Sequence, residues 1–393
     1  TVKKIQGEWR ITEPIYTGAD ESTINSMLTT LLNANKITRF EITPEQLKEY
    51  GLSDQAIWVR LDAGEGETDS LWMGDKTPVG AYVFSAKTDS VVYTINQNVK
   101  TNFEKKLFDI RDKKLLHFQR NDVRKISVEN QHGEFEFEKT TPAEWTFLNI
   151  NRPADNGKMS TILSRLENNR AKSFVDEEGT ELRRYGLTNP MIEVTLLLGP
   201  EQGQKKLMVS REIDGKFYAK DDTRKPIFEV DSLLVKDLNQ KSTDFRSTDL
   251  VQFERSDVDS LTVIYGDTLI SCAKDTSGNW IMLEPEYAPV KSQKISSFFS
   301  SLDFTTISEF VRDGSFNASR YGLDRPVLTV SLYDGDSKMR EIRLGSKKDN
   351  KIYAVTDQYQ SVYLIPETKL KDYKLKPADI MEEPVTADSI AAE

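Results

Sequence analysis

The sequence has very few of the residues that form disulfides, bind zinc or act as general bases. It contains one cysteine, Cys272, and two histidines, His117 and His132, among 393 residues. A single thiol excludes an intramolecular disulfide and a cysteine-rich zinc site. The two histidines correspond to Gln252 and Asp267 in the internal repeat described below. We therefore interpret both histidines as surface residues that are not part of a catalytic triad.

Long apolar runs are also missing. No stretch of about 18 apolar residues is present, so the sequence predicts no membrane-spanning helix. No signal peptide is visible, but the chain begins with Thr1 rather than methionine. We therefore expect a fragment or a processed product from which an anchor was removed. The net charge is -10, from 53 basic and 63 acidic residues, which argues against a nucleic-acid partner.

Motifs for nucleotides and metals are absent as well. Neither a G-x-G-x-x-G nor a P-loop pattern occurs, and Asp334-Gly335-Asp336 lacks the later ligands of a calcium loop. Asp20 and Asp155 occupy matching positions before apolar helical patterns, which indicates helix N-caps. The sequence therefore predicts no enzyme, no cofactor and no metal site.

The dominant positive feature is a repeat of about 135 residues. Two independent sets of landmarks have this spacing, a tryptophan and a Tyr-Gly-Leu triplet. They are Trp9, Trp145 and Trp280, and the triplets that begin at Tyr50-Gly51, Tyr185-Gly186 and Tyr321-Gly322. A unit of this length can bury its own core, so we predict three tandem domains.

The copies are predicted to span 1–117, 118–252 and 253–393. The first is N-terminally incomplete, because the strands predicted over 118–137 have no counterpart before Thr1. The third ends in a polar C-terminal tail. We call these segments copy 1, copy 2 and copy 3.

Each copy is predicted to be an α+β module, a largely antiparallel sheet with helices packed on one face. In copy 2, alternation of apolar residues predicts seven strands. They cover 126–128, 135–137, 145–147, 192–198, 206–209, 217–220 and 227–230. Helices are predicted after Asp155, over Glu181–Tyr185 and over Leu233–Leu238. Gly74 and Gly345 are predicted to occupy turns with positive φ.

Landmarks that recur in all copies are interpreted as fold-building residues, so the three repeated tryptophans and the triplets are assigned to the core. Trp58 and Trp72 are different, because the equivalent positions of the other copies hold Glu193, Thr329 and Arg343. Both should point outward and face each other across a hairpin that turns near Glu65. We identify them as a candidate partner-binding pair. The alternative is packing against a neighbouring copy or a missing N-terminal segment.

The ordered set of motifs resembles a bacterial family known only as a domain of unknown function, number four-three-four-zero. The motifs are the Trp145 strand, Pro153-Ala154-Asp155, Tyr185-Gly186-Leu187 with Pro190, Leu344-Gly345, and the Asp-x-Arg segments Asp109-Ile110-Arg111 and Asp244-Phe245-Arg246. Copy 3 departs from the pattern, because Met381 replaces the arginine and Lys291 replaces the aspartate.

The resemblance implies repeats outside the cytoplasm, tethered by an N-terminal membrane helix, and an association with ABC transporters of the gliding-motility auxiliary type. We therefore expect a non-catalytic, periplasmic or otherwise extracytoplasmic accessory or scaffold protein that acts with an ABC-type transport or motility complex. The alternative is a cell-envelope module that binds glycan or peptide in clefts between copies. A hydrolase is the third class, and it requires a deep pocket with shifted carboxylates or histidines.

Overall fold

The computed structural model describes residues 1–54, 56–64, 66–80, 82–88, 90–199 and 203–382. The centre of the predicted Trp58–Trp72 hairpin turn, Glu65, and the predicted polar tail from residue 383 lie outside the described residues. Among the residues described, no helix is both long and apolar enough to cross a membrane.

The chain divides into two compact units that cut across the three sequence copies. The first unit contains Thr1–Gln119, Arg165–Pro190 and Lys206–Val235. The second contains Arg120–Ser164, Met191–Lys205 and the described chain from Lys236 onward. Copy 1 therefore lies in the first unit and copy 3 in the second, whereas copy 2 contributes to both. The copy boundaries at 117/118 and 252/253 stay predictions.

Copy 1 contains two sheets. Strands β1, β2 and β3 form a three-stranded sheet, and the other five form a sheet of order β4-β8-β7-β6-β5. Every pair of neighbouring strands with a determined register is antiparallel. The elements are β1 (Val2–Ile5), β2 (Glu8–Ile11), β3 (Thr17–Gly18), α1 (Glu21–Leu32), β4 (Thr38–Glu41), a 3₁₀ helix (Pro44–Tyr50), β5 (Ile57–Gly64), β6 (Glu67–Lys76), β7 (Tyr82–Thr88), β8 (Val91–Asn96), α2 (Gln97–Phe103) and α3 (Leu107–Ile110).

Copy 2 repeats this plan with one additional opening strand. The prediction that copy 1 has no counterpart of either opening strand is therefore wrong for the second of them, because β1 pairs with β2 as β10 pairs with β11. Its elements are β9 (Val123–Asn130), β10 (Gly133–Lys139), β11 (Trp145–Phe147), β12 (Arg152–Pro153), α4 (Asn156–Asn168), β13 (Ser173–Asp176), β14 (Ile192–Leu198), β15 (Gln204–Val209), β16 (Phe217–Asp221), β17 (Ile227–Val230) and α5 (Ser232–Leu238). In the second unit the strand order is β12-β11-β10-β9-β14. In the first unit β16 pairs with β17, and β17 pairs with β13.

Copy 3 shows the complete module within one unit. Its nine strands have the order β21-β20-β19-β18-β23-β24-β25-β26-β22. The elements are β18 (Ser260–Tyr265), β19 (Thr268–Lys274), β20 (Trp280–Glu284), β21 (Ala288–Pro289), α6 (Ser292–Asp303), β22 (Glu309–Asp313), a 3₁₀ helix (Ala318–Tyr321), β23 (Leu328–Asp334), β24 (Ser337–Lys348), β25 (Lys351–Thr356), β26 (Ser361–Pro366), α7 (Lys369–Asp372) and α8 (Pro377–Ile380).

The copy 3 core forms because α6 and the sheet bury complementary stripes. The apolar residues Ile295, Phe298, Phe299 and Leu302 recur every three or four positions and are all buried, as one face of a helix requires. They share a core with alternating residues of the central strands. The fold class is therefore α+β with antiparallel sheets, as predicted.

The helix starts also follow the prediction. The Asp20 side chain accepts a hydrogen bond from the backbone nitrogen of Thr23 at 2.8 Å. Asp155 accepts one from the backbone nitrogen of Lys158, also at 2.8 Å. Both aspartates are confirmed as N-caps, which satisfy amide groups that the first helical turn leaves unpaired. Lys291 makes no side-chain cap at the start of α6.

Three local predictions are corrected. The predicted helix over Glu181–Tyr185 is a hydrogen-bonded turn, although copies 1 and 3 form 3₁₀ helices there. Strand β13 was not predicted, because it is only four residues long and its side chains do not alternate clearly between core and solvent. Gly74 and Gly345 lie within strands and do not have positive φ. A Cβ atom at either glycine would instead overlap the carbonyl oxygen of the tyrosine landmark in its copy.

Candidate functional site

Trp58 and Trp72 form an exposed pair on the β5–β6 hairpin. They are direct cross-strand partners, and their ring centroids are 6.4 Å apart. Their side chains are 53% and 36% exposed, respectively. The predicted pairing and outward orientation are thus confirmed, whereas partner binding stays a prediction. Two adjacent exposed indoles are unusual for a surface that has no binding role.

The repeated tryptophans lie in less exposed surroundings. Trp145 is 6% and Trp280 is 8% exposed. Trp9 is only half-buried, which differs from the predicted core position, and its Nε1 donates to Oδ1 of Asn25 at 3.0 Å.

A lysine lies over each repeated tryptophan, a feature that the sequence analysis missed. The distances from Nζ to the ring centroid are 5.7 Å for Lys4 over Trp9, 6.0 Å for Lys139 over Trp145 and 5.6 Å for Lys274 over Trp280. The three lysines are spaced by about 135 residues, so the period of the repeat was sufficient to find them. Each pair is a cation–π contact that anchors one strand to the next.

The Tyr-Gly-Leu landmarks are structural. Gly51, Gly186 and Gly322 have φ values of 64°, 66° and 68°, the left-handed conformation that glycine adopts without strain. Tyr185 and Tyr321 are buried, and each packs edge-on against a second tyrosine of its copy. Tyr50 is half-buried and contacts Phe84 in the same manner, with centroids 4.7 Å apart.

The arginine of the first Asp-x-Arg segment connects copy 1 to copy 2. Arg111 is 3% exposed, and its Nη1 and Nη2 donate to the two carboxylate oxygens of Glu177 at 2.6 and 2.7 Å. Its guanidinium carbon lies 3.4 Å from the ring centroid of Phe174. We call Arg111, Glu177 and Phe174 joint 1. The planar guanidinium of an arginine can donate two parallel hydrogen bonds to a carboxylate and stack on an aromatic ring at the same time.

The same construction connects copy 2 to copy 3. Arg246 is 5% exposed and donates to the two carboxylate oxygens of Asp313 at 2.8 and 3.0 Å. Its guanidinium carbon lies 3.8 Å from the ring centroid of Phe310. We call Arg246, Asp313 and Phe310 joint 2. Ser361 also donates to Asp313 at 2.7 Å, and Arg152 donates to that serine hydroxyl at 3.1 Å.

The backbone explains how each arginine reaches the next copy. Arg111 forms a bridge with Ala19 and Arg246 forms one with Ala154, directly before the helix N-caps of their own copies. Met381 forms the equivalent bridge with Val290 in copy 3. The Asp-x-Arg segment therefore closes its own copy with the backbone and contacts the following copy with the side chain. Methionine preserves the first of these roles but cannot make the ion pair.

Joint 2 is expected to weaken in acid. Burial alone would raise the pKa of Asp313, but the hydrogen bonds from Arg246 and Ser361 hold that pKa below its ordinary value of 3.8. A depressed carboxylate pKa means that the stabilisation is complete above the unfolded value and disappears as the pH falls through the folded value. The urea midpoint of the native chain should therefore approach that of Asp313→Asn as the pH falls from 6 to below 4. Equal pH dependence in the two proteins would contradict this account.

The described residues contain no cluster of potential metal ligands. No group of three or more histidine, cysteine, aspartate or glutamate residues with metal-binding geometry occurs there. His117 is half-exposed, and its Nε2 lies 2.7 Å from Oδ2 of Asp112 in the first unit. Burial opposes ionisation of Asp112, yet the hydrogen bond from His117 leaves its pKa below the ordinary value. Cys272 is buried, and burial raises its pKa to about 11, so the thiol is protonated at neutral pH.

One family model matches almost the whole chain. It is described as domain of unknown function (DUF4340), and it matches three segments, residues 9–151, 145–319 and 280–391. The chain belongs to the DUF4340 family. No curated protein and no solved structure matches it.

The three DUF4340 matches begin at Trp9, Trp145 and Trp280, the repeated tryptophans. The family unit therefore starts at the strand that carries this residue, and the tandem character of the chain is confirmed. The first match extends to residue 151, past the opening strands β9 and β10 of copy 2. The predicted copies and the family unit thus have the same period of about 135 residues, but copy 2 is predicted to begin before β9 whereas the family unit begins at the strand of Trp145.

The described part of this DUF4340 chain includes two concave surfaces that are large enough to receive a ligand. The first is an apolar groove of about 240 Å³ between α1 and the β5–β6 edge of copy 1. We call it the edge groove, defined by Leu31, Val59, Leu61, Leu71 and Ile95. The second is a polar cleft of about 230 Å³ between copies 2 and 3, within the second unit. Its lining includes Asn156, Gln252 and Arg152, whose guanidinium lies 4.5 Å from the ring centroid of Tyr359.

Proposed function

We propose that this DUF4340 chain is a non-catalytic, extracytoplasmic accessory or scaffold protein that binds a protein partner. The observation that carries the proposal is the exposed Trp58–Trp72 pair. It occurs in copy 1 alone, although the module around it is repeated. Exposed paired tryptophans are typical anchors of protein interfaces, because they bury a large area at a low cost in conformational entropy.

The scaffold role is supported by joint 1 and joint 2. Each joint connects consecutive copies with a bidentate, stacked arginine rather than with a flexible linker. Such contacts restrict the motion between neighbouring copies and hold a binding surface at a defined place along the chain. An accessory protein that presents one surface to a larger complex benefits from this restriction.

The membrane tether, the periplasmic location and the ABC-type transport or motility complex are part of the proposal, and they rest on family resemblance. In this view the tether is a segment outside the present sequence, and the partner is the permease or the ATPase of the complex. Tandem domains would then provide the reach from the membrane to the partner surface.

Photocrosslinking in native membranes tests the proposed partner. A photoreactive amino acid at position 58 or 72 of the tagged intact protein should crosslink to a permease or ATPase subunit, identified by mass spectrometry. Thr329 is the matched control, because it is the copy 3 equivalent of Trp58. If crosslinks to transport subunits are no more frequent from position 58 than from position 329, the proposal is wrong.

Replacing both tryptophans by serine is expected to weaken partner binding at least about tenfold, since interface tryptophans contribute 2 kcal/mol or more. Cooperative unfolding should be unchanged, because both side chains point outward. Co-purification yield and thermal unfolding measure the two effects. Loss of cooperative unfolding would instead assign the pair to the fold.

The polar cleft between copies 2 and 3 favours a second candidate, a module that binds cell-envelope glycan or peptide. Hydroxyl, amide and guanidinium groups beside the ring of Tyr359 are the groups that recognise sugars and peptide backbones. A glycan array separates the candidates. Binding that is lost in Arg152→Ala together with Tyr359→Ala, but retained in the tryptophan double mutant, would support the second function.

A further inference from the structure

The polar cleft between copies 2 and 3 contains two residues that are particular to this junction. They are Arg152 of copy 2 and Tyr359 of copy 3, which lie in contact with each other. At the junction of copies 1 and 2, the strand registers place Thr17 and Arg224 at the equivalent positions. The Arg152–Tyr359 contact is therefore not a requirement of the repeated fold, and we expect it to serve a function of its own.

The junction of copies 1 and 2 balances the charge of its arginine with two carboxylates. The Nε and Nη1 atoms of Arg224 lie 3.1 Å from Oδ2 of Asp221 and 3.4 Å from Oδ2 of Asp112, respectively. Thr356 and Ser247 occupy the positions of these two aspartates at the junction of copies 2 and 3. That junction thus contains an arginine but neither of the carboxylates that balance the arginine of the first.

Arg152 has no carboxylate partner among the described residues. Its Nη1 donates to the backbone oxygen of Asn151 at 2.9 Å, and its Nη2 donates to Oγ of Ser361 at 3.1 Å. Asp313 is connected to Arg152 through the hydroxyl of Ser361, and it already accepts two hydrogen bonds from Arg246. Two guanidinium groups therefore share one carboxylate. A half-buried, unbalanced positive charge favours an anionic ligand.

The other walls of the cleft are suited to hydroxyl groups. Asn156 uses Oδ1 to accept from the backbone nitrogen of Trp145 at 2.9 Å, and its Nδ2 has no partner within the described residues. Gln252 is exposed, and only its backbone is bonded in the described chain. Thr140 and Glu144 add a hydroxyl and a carboxylate to the lining. Such groups bind sugar hydroxyls, and a mostly polar lining suits a polyhydroxylated ring better than a peptide with mixed polar and apolar surface.

The size of the cleft limits the ligand. Its volume of about 230 Å³ is below the range of about 300–1,000 Å³ that is typical of pockets for drug-sized ligands. The cleft is therefore suited to one sugar unit of a chain rather than to a longer buried segment.

We infer that the polar cleft binds a hexuronate unit of an acidic saccharide, a sugar ring that carries one carboxylate. The carboxylate pairs with the guanidinium of Arg152, which Tyr359 holds in place. The ring hydroxyls form hydrogen bonds with Asn156 and Gln252. This inference deepens the second candidate function, glycan binding, and rests on it for the saccharide. It does not depend on the proposed protein partner.

Binding of short uronic acid oligosaccharides to the whole chain tests the inference. The probes are the trimers of galacturonate, glucuronate and mannuronate, and the matched controls are their methyl esters, which retain the hydroxyls but lose the charge. Isothermal titration calorimetry should show at least about tenfold tighter binding of one or more acid trimers than of the corresponding ester, since hydrogen bonds between charged groups are the stronger ones. The net charge of -10 disfavours non-specific binding of an anion. Equal binding of acid and ester, or no binding of any trimer, would overturn the inference.

Protein variants test the position of the carboxylate. Arg152→Thr introduces the residue that copy 1 holds and should remove the preference for the acid form, with thermal unfolding as the check on folding. Gln252→Glu adds a negative charge at an exposed position, so folding should be unchanged. It should weaken binding of the acid trimer several-fold and leave the ester unaffected, whereas Gln252→Ala should weaken both alike. An acid preference that survives Arg152→Thr, or equal effects of Gln252→Glu on acid and ester, would reject the assignment.

The ligand and the underlying function are tested separately. Binding of neutral glycans that is lost in Arg152→Ala together with Tyr359→Ala would retain the second candidate function and reject the hexuronate. Binding of a peptide with a free terminal carboxylate but not of its amidated form, without binding of any uronate trimer, would replace the sugar with a peptide terminus. Crosslinking from position 58 reports on the protein partner and is independent of both results.

Discussion

Replacing Asp313 by alanine is expected to lower the free energy of local unfolding at joint 2 by about 3 kcal/mol. The reason is that Arg246 is 5% exposed and its guanidinium would be left buried without a counterion. We place the value at the lower end for buried ion pairs, because the Asp313 side chain is 41% exposed and partly hydrated. Hydrogen exchange of the amides in Asp244–Arg246 and Glu309–Asp313 measures the local opening.

Replacing the arginine of joint 2 should lower the free energy of local unfolding by less than replacing Asp313 does. Arg246→Met is expected to lower the same free energy by about 1 to 2 kcal/mol, because it leaves a carboxylate that water and Ser361 can still solvate. Methionine also retains apolar contact with Phe310, and copy 3 already has Met381 in this position. A larger loss for Arg246→Met than for Asp313→Ala would contradict the asymmetry.

Two controls define what is particular to the joints. Glu178→Ala removes the exposed ion pair with Lys225 and should change local stability very little. Glu177→Ala removes the carboxylate of joint 1, where Arg111 is 3% exposed, and should lower the free energy of local unfolding about as much as Asp313→Ala does. If the two variants lower it by clearly different amounts, the two joints do not stabilise the chain equally despite their common geometry.

The sequence predicted the repeated architecture because that information is local and periodic. Strand and helix positions in copy 2 follow from alternation and from three-to-four spacing, and the bounds of β11, β14 and β17 agree with the prediction. The Trp58–Trp72 pairing followed from aligning one copy on another, since the same registers recur in each sheet. A repeat therefore supplies internal comparison that a single domain lacks.

The joints could not be predicted in the same way. Arg111 and Arg246 were visible as parts of a motif, but their acidic partners lie 66 and 67 residues further along the chain. Glu177 and Asp313 differ in residue type, and no local pattern distinguishes them from the many other acidic residues. Long-range ion pairs depend on how copies pack against each other, which the pattern within one copy does not encode.

Gly345 illustrates a correct observation with the wrong physical reason. The sequence placed glycine at one position in copies 1 and 3 and suggested a turn with positive φ. The residue lies instead within strand β24, and its backbone approaches the 3₁₀ helix that ends at Tyr321. A Cβ atom there would overlap the carbonyl oxygen of Tyr321. Glycine is required by this close approach and not by backbone conformation.

Gly345→Ala is therefore expected to lower the free energy of unfolding around the Tyr-Gly-Leu segment of copy 3 by about 2 to 3 kcal/mol. The overlapping atom belongs to the backbone, so it cannot move aside as a flexible side chain would. Hydrogen exchange of the backbone amides in Ala318–Tyr321 and in β24 measures the change. We expect exchange in both segments to be faster in the variant than in the native chain.

Gly199→Ala is the matched control for this prediction. Its Cβ would have the carbonyl oxygen of Asp122 as its nearest neighbour at 3.9 Å, an ordinary contact, and its φ is not in the left-handed region. Alanine should be neutral or slightly stabilising there, by up to about 1 kcal/mol, because it reduces the entropy of the unfolded chain. Copy 2 has Ser210 at the position of Gly345, with its hydroxyl bonded to Arg211 and Tyr218. Equal effects of the two alanine substitutions would mean that the close approach to Tyr321 relaxes at little cost.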